Sequence, residues 1–270
     1  MAAPLRCVYC DIDGTLVGRG GSLFHDARGA VTMAGARAVE ACLRGGVEVV
    51  LISGRRRVTV EQPARIIGAT AFVYESGAAV VLAGEEHWLT EGFLPREGST
   101  IFDQISDTGA PRLLLERFAG RLEYHDPWHL GREVSHLFRG RVDAIEADAL
   151  LTEHGLDALR LVDNGTMHPR VDGHDEWHAY HLVPRSVSKA AGVAFHQRVR
   201  GYAPADCIAI GDSREDLGMA AAVSTFWLVG NALEEDPSVR DAITANVRVA
   251  EGRQGAGVYE AVMTELAERR

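Results

Sequence analysis

Two pairs of carboxylates stand directly after apolar runs of this chain. Asp11 and Asp13 follow "RCVYC" and precede Gly14, and Asp212 and Asp216 follow "CIAIG". Residues two apart in an extended chain point to the same side, so Asp11 and Asp13 share a face. Converging carboxylates raise one another's pKa unless a cation lies between them, and Mg²⁺ prefers oxygen ligands of this kind. The spacing therefore predicts a magnesium site, although each pair alone also fits a turn or a helix cap.

A hydroxyl and an amine occur at corresponding places. Ser53 ends the apolar run "VEVVLI", and Lys189, in "SVSKAAGV", is the only lysine among the 28 Lys plus Arg residues. Arginine is a planar fork, whereas lysine is a compact point charge that fits around a single oxygen. Lys189 is therefore either an ordinary residue of a helix surface or a cation placed in a tight anionic pocket.

Apolar runs typical of strands alternate with segments of helical period over most of the chain. This alternation predicts an α/β fold with a doubly wound, Rossmann-like parallel sheet covered by helices. In such sheets ligands gather at the carboxyl ends of the strands, where we expect the polar residues above to meet. The runs expected to form the strands are "LRCVYCDI", "VEVVLIS", "TAFVYES", "DCIAIGD" and "STFWLVG".

The middle of the chain has a different pattern. The runs "GAAVVLAG" and "EEHWLTEG" suggest a hairpin, and the helical and strand segments after them do not alternate regularly. This predicts an inserted α+β cap domain. We place the core at residues 1–81 and 187–270 and the cap at residues 82–186. Pro63 is a potential break in the helix predicted for "VTVEQPARIIGA".

Charge and hydropathy exclude several functional classes. The net charge of −10 argues against a surface for nucleic acid or for an anionic membrane. The stretch "MAAPLRCVYC" lacks the apolar core of a signal peptide, and no apolar run reaches about 18 residues, so we predict a cytoplasmic protein. Cys7 and Cys10 form a CxxC pattern, but residues three apart in a strand face opposite sides, so this pattern predicts no metal or redox site.

Four motifs together resemble the haloacid dehalogenase-like (HAD) phosphohydrolases. They are "DIDGTL", "LISGR", "VSKAAGV" and "GDSREDLGMA", in the order typical of that superfamily and spread over the whole predicted core. The insertion between the second and third motifs, and the later "VGNA", are similar to the α/β-capped branch. That branch contains Cof-type sugar phosphatases, sucrose-phosphate phosphatase, mannosyl-3-phosphoglycerate phosphatase and phosphomannomutase. The chain departs from it at "ESGA", where an asparagine often precedes the glycine, so no role is carried over to Ser76.

The resemblance implies a role for each core motif. Asp11 would be the nucleophile that forms an aspartyl-phosphate, and Asp13 would be the general acid and base. Ser53 and the N–H of Gly54 would hold phosphoryl oxygens, and Lys189 would neutralise their charge. The resemblance also implies Mg²⁺, with the ligands Asp11, the backbone carbonyl of Asp13, Asp212 and Asp216, the last bound directly or in the outer shell.

The predicted activity is hydrolysis of a phosphomonoester of a small metabolite, such as a sugar phosphate or a phosphoglycerate. Asp13 favours this chemistry, because a dehalogenase-like member would lack an aspartate there and a transport ATPase would carry threonine. The alternatives are a phosphomutase of the phosphomannomutase type and a non-catalytic phosphate-binding regulatory module. Neither the physiological substrate nor the oligomeric state follows from the sequence.

Five side chains are expected to contact the rest of the substrate, namely Arg55, Arg132, Arg170, His178 and Asn231. Arg132, like Arg139, suits a leaving group with a carboxylate, which arginine binds with two hydrogen bonds. The segment "MHPRVDGHDEWHAYH" is rich in histidine and could hold a transition metal. It also fits a polar hairpin entering the last cap strand, where alternation directs His178 to one face and His181 to the other.

Overall fold

The structure is a computed structural model that describes residues 3–167 and 177–269. Its strands are β1 (Cys7–Asp11), β2 (Glu48–Ile52), β3 (Ala71–Tyr74), β4 (Ala79–Leu82), β5 (Glu85–Trp88), β6 (Leu122–Tyr124), β7 (His136–Gly140), β8 (Leu159–Thr166), β9 (His178–Pro184), β10 (Cys207–Gly211), β11 (Thr225–Leu228) and β12 (Val247–Val249). Its α-helices are α1 (Ala34–Arg44), α2 (Arg57–Ile66), α3 (Ile101–Asp107), α4 (Ala110–Arg117), α5 (Ala144–Glu153), α6 (Lys189–Arg200), α7 (Arg214–Leu217), α8 (Ala232–Glu235) and α9 (Gly255–Glu268).

The core is an eight-stranded sheet in the order β12-β11-β10-β1-β2-β3-β4-β5. The six strands from β12 to β3 are parallel, and β4 and β5 are antiparallel. Helices α1, α2 and α9 pack on one face, and α6 and α7 pack on the other. This order reverses direction between β1 and β10, the point where doubly wound sheets bind ligands. The predicted α/β fold is confirmed.

The two faces of the sheet separate the residues of the CxxC pattern. Cys7 packs with the α6 side and Cys10 with the α1 side, and both are free buried thiols. The expectation that they cannot share a metal is confirmed, because successive residues of a strand alternate between faces.

The middle of the chain forms a second sheet, in the order β6-β7-β9-β8, with every neighbouring pair antiparallel. Residues of α3, α4 and α5 pack on one face of it and form a separate apolar cluster with buried residues such as Phe138 and Tyr180. This α+β unit lies where the sequence predicts the cap, and one of its strands, β6, was not predicted.

The predicted cap boundary at Leu82 requires correction. It falls inside the β4–β5 hairpin, and both strands of that hairpin belong to the core sheet. Ala83 and Gly84 have φ of 50° and 86°, which are values of the tight turn that joins two hairpin strands. The hairpin pairs with the edge of β3, which would otherwise stay open. The change from core to cap therefore occurs after Trp88.

Two further differences concern helices. Helix α2 runs through Pro63, so the potential break does not occur, and Val60 and Ala64 keep the helix packed on the sheet. The C-terminal elements β12 and α9, which no prediction covered, complete the sheet edge and one helix layer. None of the helices within the described ranges has the length and apolar content that crossing a membrane requires.

Candidate active site

The carboxyl ends of three neighbouring strands supply the polar residues of one site. Asp11 is the last residue of β1, Ser53 follows β2 and Asp212 follows β10, and these strands lie side by side. Lys189 is the first residue of α6, whose start is fixed because the Ser188 hydroxyl accepts a hydrogen bond from the N–H of Ala191 at 3.0 Å. The structure thus brings together residues that lie far apart in the sequence.

Lys189 lies at the centre of the site and is only 3% exposed. Its Nζ is 2.8 Å from Asp11 Oδ1, 2.6 Å from Asp216 Oδ1 and 2.8 Å from Glu215 Oε2. Burial disfavours its charge, but the three carboxylates more than compensate, so the pKa of Lys189 lies well above its ordinary value. The surface interpretation of the single lysine is therefore wrong. No sequence signal distinguished Glu215 from an ordinary acidic residue of a helix start.

Negative charge is in excess around this lysine. The pKa of Asp11 is raised to about 8, mainly by burial; Lys189 opposes this rise, and Asp216 and Asp13 add to it. Burial, together with Asp11 and Asp216, also raises the pKa of Asp212 well above its ordinary value. Oxygen atoms of Asp11, Asp212 and Asp216 lie within 4.8 Å of one another. A hard divalent cation such as Mg²⁺ fits this donor set, because it supplies the missing positive charge and prefers carboxylate oxygens.

Asp216 is held more firmly than the other two aspartates. Its Oδ2 accepts hydrogen bonds from the N–H of Asp212 at 3.2 Å, the N–H of Ser213 at 3.1 Å and the Ser213 hydroxyl at 2.7 Å. Both of its oxygens therefore have protein partners, since Oδ1 pairs with Lys189. Because both oxygens are occupied, Asp216 is better suited to orienting Lys189 and the loop of Asp212 than to binding a cation directly.

The loop after β1 approaches Asp212 closely because residue 14 is a glycine. Gly14 has φ of 77°, and a Cβ there would lie 2.0 Å from Asp212 Oδ2. The amide of Asn231 donates to the Gly14 carbonyl at 3.0 Å and accepts from the N–H of Gln254 at 2.9 Å. Asn231 is fully buried, which contradicts its predicted contact with substrate. Its amide instead holds the loop after β1 through the hydrogen bond to the Gly14 carbonyl.

Asp13 differs from its neighbours because its side chain is 56% exposed. Arg55 donates Nε to Asp13 Oδ2 at 2.6 Å and Nη2 to Asp13 Oδ1, so the two side chains form a bidentate pair. Arg55, predicted to contact substrate, thus lies beside the predicted general acid. Ser53 is buried, and its Oγ accepts from the N–H of Arg55 at 3.1 Å.

The cap reaches the core loop that contains Gly54. Arg132, a predicted substrate contact, donates Nη1 to the Gly54 carbonyl at 3.0 Å and to Ser135 Oγ at 2.9 Å. His181, not chosen as a site residue, places Nε2 3.0 Å from where a Cβ on Gly54 would lie. Burial, together with Arg132 and Lys189, lowers the pKa of His181 well below its ordinary value. Strand alternation was the signal that separated His181 from its neighbours.

His178 lies on the opposite face of β9. Its Nδ1 is 2.8 Å from Asp163 Oδ2, in a cleft of ≈ 620 Å³ that none of the carboxylates around Lys189 lines. The structure therefore does not bring His178 to the predicted catalytic residues. His178 and His181 cannot share a metal, because they face apart. Arg170, with His168 and His174, lies outside the described residues.

Comparisons with known proteins agree with this geometry. The family model of the haloacid dehalogenase-like hydrolases matches residues 173–252. This segment contains Lys189, Asp212 and Asp216, and over it the chain is similar to that family. Among curated relatives, the phosphoglycolate phosphatase of Methanoculleus marisnigri is 27% identical over 261 residues, covering 96% of this chain and 95% of the relative. That of Methanospirillum hungatei is 28% identical over 243 residues, covering 88% and 89%.

Solved structures share the fold of this protein. The sucrose-phosphatase of Synechocystis has a TM-score of 0.68 at 15% identity, with 97% of this chain and 98% of that chain covered. A Thermoplasma acidophilum protein has a TM-score of 0.63 at 17% identity, with 97% and 98% covered. At these identities the likeness concerns the fold alone, and it includes the cap as well as the core.

Proposed function

We propose that this hydrolase is a Mg²⁺-dependent phosphatase of small phosphomonoesters that acts through an aspartyl-phosphate. The observation that carries the proposal is the pairing of a buried Asp11, held by Lys189, with an accessible Asp13 two residues later. A nucleophile needs a fixed position, whereas a general acid must reach the leaving group. The phosphatase names of the curated relatives support the same reaction class.

The proposed reaction has two steps. Asp11 attacks phosphorus, the bond to the leaving oxygen breaks, and Asp13 gives that oxygen a proton. Asp13 then takes a proton from the water that attacks the aspartyl-phosphate, which releases phosphate and restores Asp11. Lys189 neutralises phosphoryl oxygens throughout. Mg²⁺, held by Asp11, Asp212 and the Asp13 carbonyl, would reduce the repulsion between the nucleophile and the phosphoryl group.

The substrate we favour is a small phosphomonoester that also carries a carboxylate. The relatives are phosphoglycolate phosphatases by name, and one cap arginine, Arg132, contacts the Gly54 loop of the site. Burial, together with the positive charges of Arg139 and Arg132, lowers the pKa of the cap residue His125 to about 4, and of these two arginines Arg139 pairs with Glu123. Guanidinium groups bind carboxylates with two hydrogen bonds, which supports an acidic leaving group over an uncharged sugar.

We also infer that the cap is a separate specificity domain that begins near Leu89 and ends near Ser186. The two connecting segments run side by side, since the Ser186 hydroxyl donates to the Leu89 carbonyl at 2.9 Å and accepts from the N–H of Glu91 at 3.0 Å. Paired connections of this kind allow a cap to tilt over the site without separating from the core. We expect the protein to act on small metabolites in the cytoplasm.

A phosphate-release assay tests the function. The purified protein with Mg²⁺ is given phosphoglycolate, phosphoglycerates, sugar phosphates and p-nitrophenyl phosphate, with Asp11→Asn as the matched control. We expect phosphate from the aryl phosphate and the fastest turnover with a carboxylate-bearing substrate. Interconversion of sugar phosphates without net phosphate release would indicate a mutase instead. Binding of phosphate without turnover of any substrate would indicate a regulatory module.

A further inference from the structure

Glu75 is a fully buried carboxylate of the core whose partners all belong to the cap. It follows β3, in the turn of residues 75–77. Its Oε1 accepts from the N–H of Glu133 at 2.8 Å, and its Oε2 accepts from the N–H of Val134 at 3.2 Å and of Ser135 at 2.6 Å. Hydrogen bonds to a buried charge are among the strongest in proteins, so Glu75 fixes the cap segment that leads into β7.

The hydroxyl of Ser135 extends this contact to two side chains. A carboxylate can only accept hydrogen bonds, so Ser135 donates its hydrogen to Glu75 Oε2 at 2.8 Å. Its Oγ then accepts from Arg132 Nη1 at 2.9 Å and from His181 Nδ1 at 3.1 Å. The His181 hydrogen therefore resides on Nδ1, and Nε2 faces Gly54 as a bare acceptor.

Arg132 completes the connection between cap and core. One Nη1 hydrogen of Arg132 goes to Ser135 Oγ and the other to the Gly54 carbonyl. The same guanidinium lies 3.9 Å from Glu75 Oε2, so the two buried charges offset each other. A continuous set of hydrogen bonds thus runs from Glu75 through Ser135 to Arg132 and ends on the Gly54 loop.

The backbone of the same turn contacts the other parts of the catalytic site. The N–H of Glu75 donates to the Arg55 carbonyl at 2.9 Å, and that of Ser76 donates to the Ser53 carbonyl at 3.0 Å. A Cβ on Gly77 would lie 2.0 Å from the Ser188 carbonyl, just before the start of α6. Glu75 and Ser76 have φ of 46° and 59°, an unusual backbone for residues other than glycine. Such strain persists only where surrounding contacts hold it, often at functional sites.

We propose that Glu75 is a positioning residue that determines substrate specificity by holding Arg132 and His181 of the cap over the Gly54 loop. The inference rests on the proposed function and adds to it that a core residue controls the part of the cap that selects the leaving group. Glu75 does not touch Asp11 or Lys189 in the hydrogen bonds described. Its loss therefore weakens recognition of the leaving group more than the chemistry at phosphorus.

The test compares kcat/KM for phosphoglycolate with that for p-nitrophenyl phosphate in Glu75→Gln. The amide places an NH₂ among N–H donors, so the set of hydrogen bonds breaks while the shape is kept. We expect the ratio of the two kcat/KM values to fall by about tenfold or more, mainly through a higher KM for phosphoglycolate. Glu133→Gln is the matched control, since Glu133 is a carboxylate of the same region that bonds to Tyr74, and its ratio should stay that of wild type. An unchanged ratio in Glu75→Gln would overturn the proposal.

Two further variants separate positioning from general damage. Ser135→Ala keeps the three backbone bonds to Glu75 and removes the hydroxyl that links Glu75 to Arg132 and His181, so it tests the proposal if Glu75→Gln does not fold. We expect it to lower the same ratio. If Glu75 acts through Arg132, the double variant Glu75→Gln with Arg132→Ala should have nearly the activity of Arg132→Ala alone. Its kcat/KM for phosphoglycolate should be no more than about twofold lower. Fully additive losses would show that Glu75 does not act through Arg132.

Amide hydrogen exchange gives a readout that does not need turnover. The amides of Glu133, Val134 and Ser135 should be protected in wild type and exchange faster in Glu75→Gln than in Glu133→Gln. Equal exchange rates of these amides in the two variants would show that the Glu75 carboxylate does not hold this cap segment. If wild type releases no phosphate from either substrate, the proposed function fails, whereas the exchange result still decides whether Glu75 holds the cap.

Discussion

Two polar clusters, one buried and one partly buried, lie at opposite ends of the core sheet and differ in their balance of charge. At the carboxyl end, Lys189 contacts three carboxylates, those of Asp11, Glu215 and Asp216. We name this the catalytic cluster. At the other end, the single carboxylate of Glu48 is surrounded by donors, with Arg200 at 2.8 Å, Thr70 at 2.5 Å and Tyr202 at 3.0 Å, and with His196 at 3.6 Å. We name this the Glu48 cluster.

The pKa values of Asp11 and Glu48 move in opposite directions, although burial acts to raise both. Burial alone raises the pKa of Glu48, but the His196 ring and the hydroxyls of Thr70 and Tyr202 outweigh it and lower the pKa to about 2. In the catalytic cluster burial dominates, and the pKa of Asp11 is about 8. A cluster with all its acceptors satisfied stabilises the fold. A cluster with excess charge requires a cation and is typical of a functional site.

The largest effect should follow from Asp11→Asn. Because an amide cannot attack phosphorus, we expect turnover to fall by about 10⁴-fold or more. The melting temperature without Mg²⁺ should not fall, since the change removes one of several mutually repelling carboxylates. Phosphate release and a thermal melt measure the two effects. Turnover within tenfold of wild type would contradict the nucleophile assignment.

Removal of the divalent cation should be almost as severe. Excess chelator should abolish phosphate release, and Mg²⁺ should restore it, because the carboxylates around Lys189 repel a phosphate dianion when nothing neutralises them. Ca²⁺ should inhibit, since its longer and looser coordination misplaces the nucleophile. Full activity in chelator would show that the excess charge of the catalytic cluster serves another purpose.

Lys189→Arg tests whether shape matters beyond charge. The three carboxylates enclose a compact ammonium, and the longer planar guanidinium would displace either the cation or the phosphoryl group. We expect kcat/KM to fall by about 10² to 10³, the range for loss of one transition-state donor. Arg198→Lys on the exposed face of the same helix is the matched control and should leave kcat/KM unchanged. Near-normal activity in Lys189→Arg would argue against a tight pocket.

The smallest expected effect belongs to the Glu48 cluster and concerns stability alone. Glu48→Gln should lower the free energy of unfolding by about 2 to 3 kcal/mol at pH 7 and leave turnover intact. The pKa of Glu48 is about 2 in the fold against an ordinary value of 4.5. This contribution is therefore complete above about pH 4.5 and is lost as the pH falls towards 2.

Urea unfolding of wild type and Glu48→Gln at several pH values measures this contribution. The gap between their free energies of unfolding should narrow on acidification. Glu40→Gln, at an exposed helix position, is the control and should show no such gap. A gap that does not change with pH would mean that the Glu48 cluster owes its stability to packing rather than to charge.

Much of the fold was accessible from local pattern, because strands and helices differ in the period of their apolar residues. The parallel core, the cap and the hairpin of β4 and β5 were all predicted in this way. The hairpin was assigned to the wrong unit, since a short strand carries no sign of which sheet edge it will join. Pro63 likewise looked like a helix break, because its effect depends on how firmly α2 packs on the sheet.

The residues of the candidate site were likewise only partly accessible from local pattern. Asp11, Asp13, Ser53, Lys189 and Asp212 could be chosen because each stands at a strand end or a helix start. Glu75 could not, because its partners lie 58 to 60 residues away in the cap. Without its contacts to the cap, a glutamate that follows a strand cannot be distinguished from an exposed residue of a turn. Asn231 was chosen by resemblance, and burial then showed that its amide has a structural partner.

The sequence by itself determined the chemical groups of this protein, namely its carboxylates, its single lysine and the order of its motifs. It also determined that His178 and His181 face apart, since alternation along a strand is a local property. Only the tertiary structure decided which carboxylates surround Lys189 and which histidine faces Gly54. Burial and charge balance depend on which elements meet, and no residue carries that information until distant segments pack together.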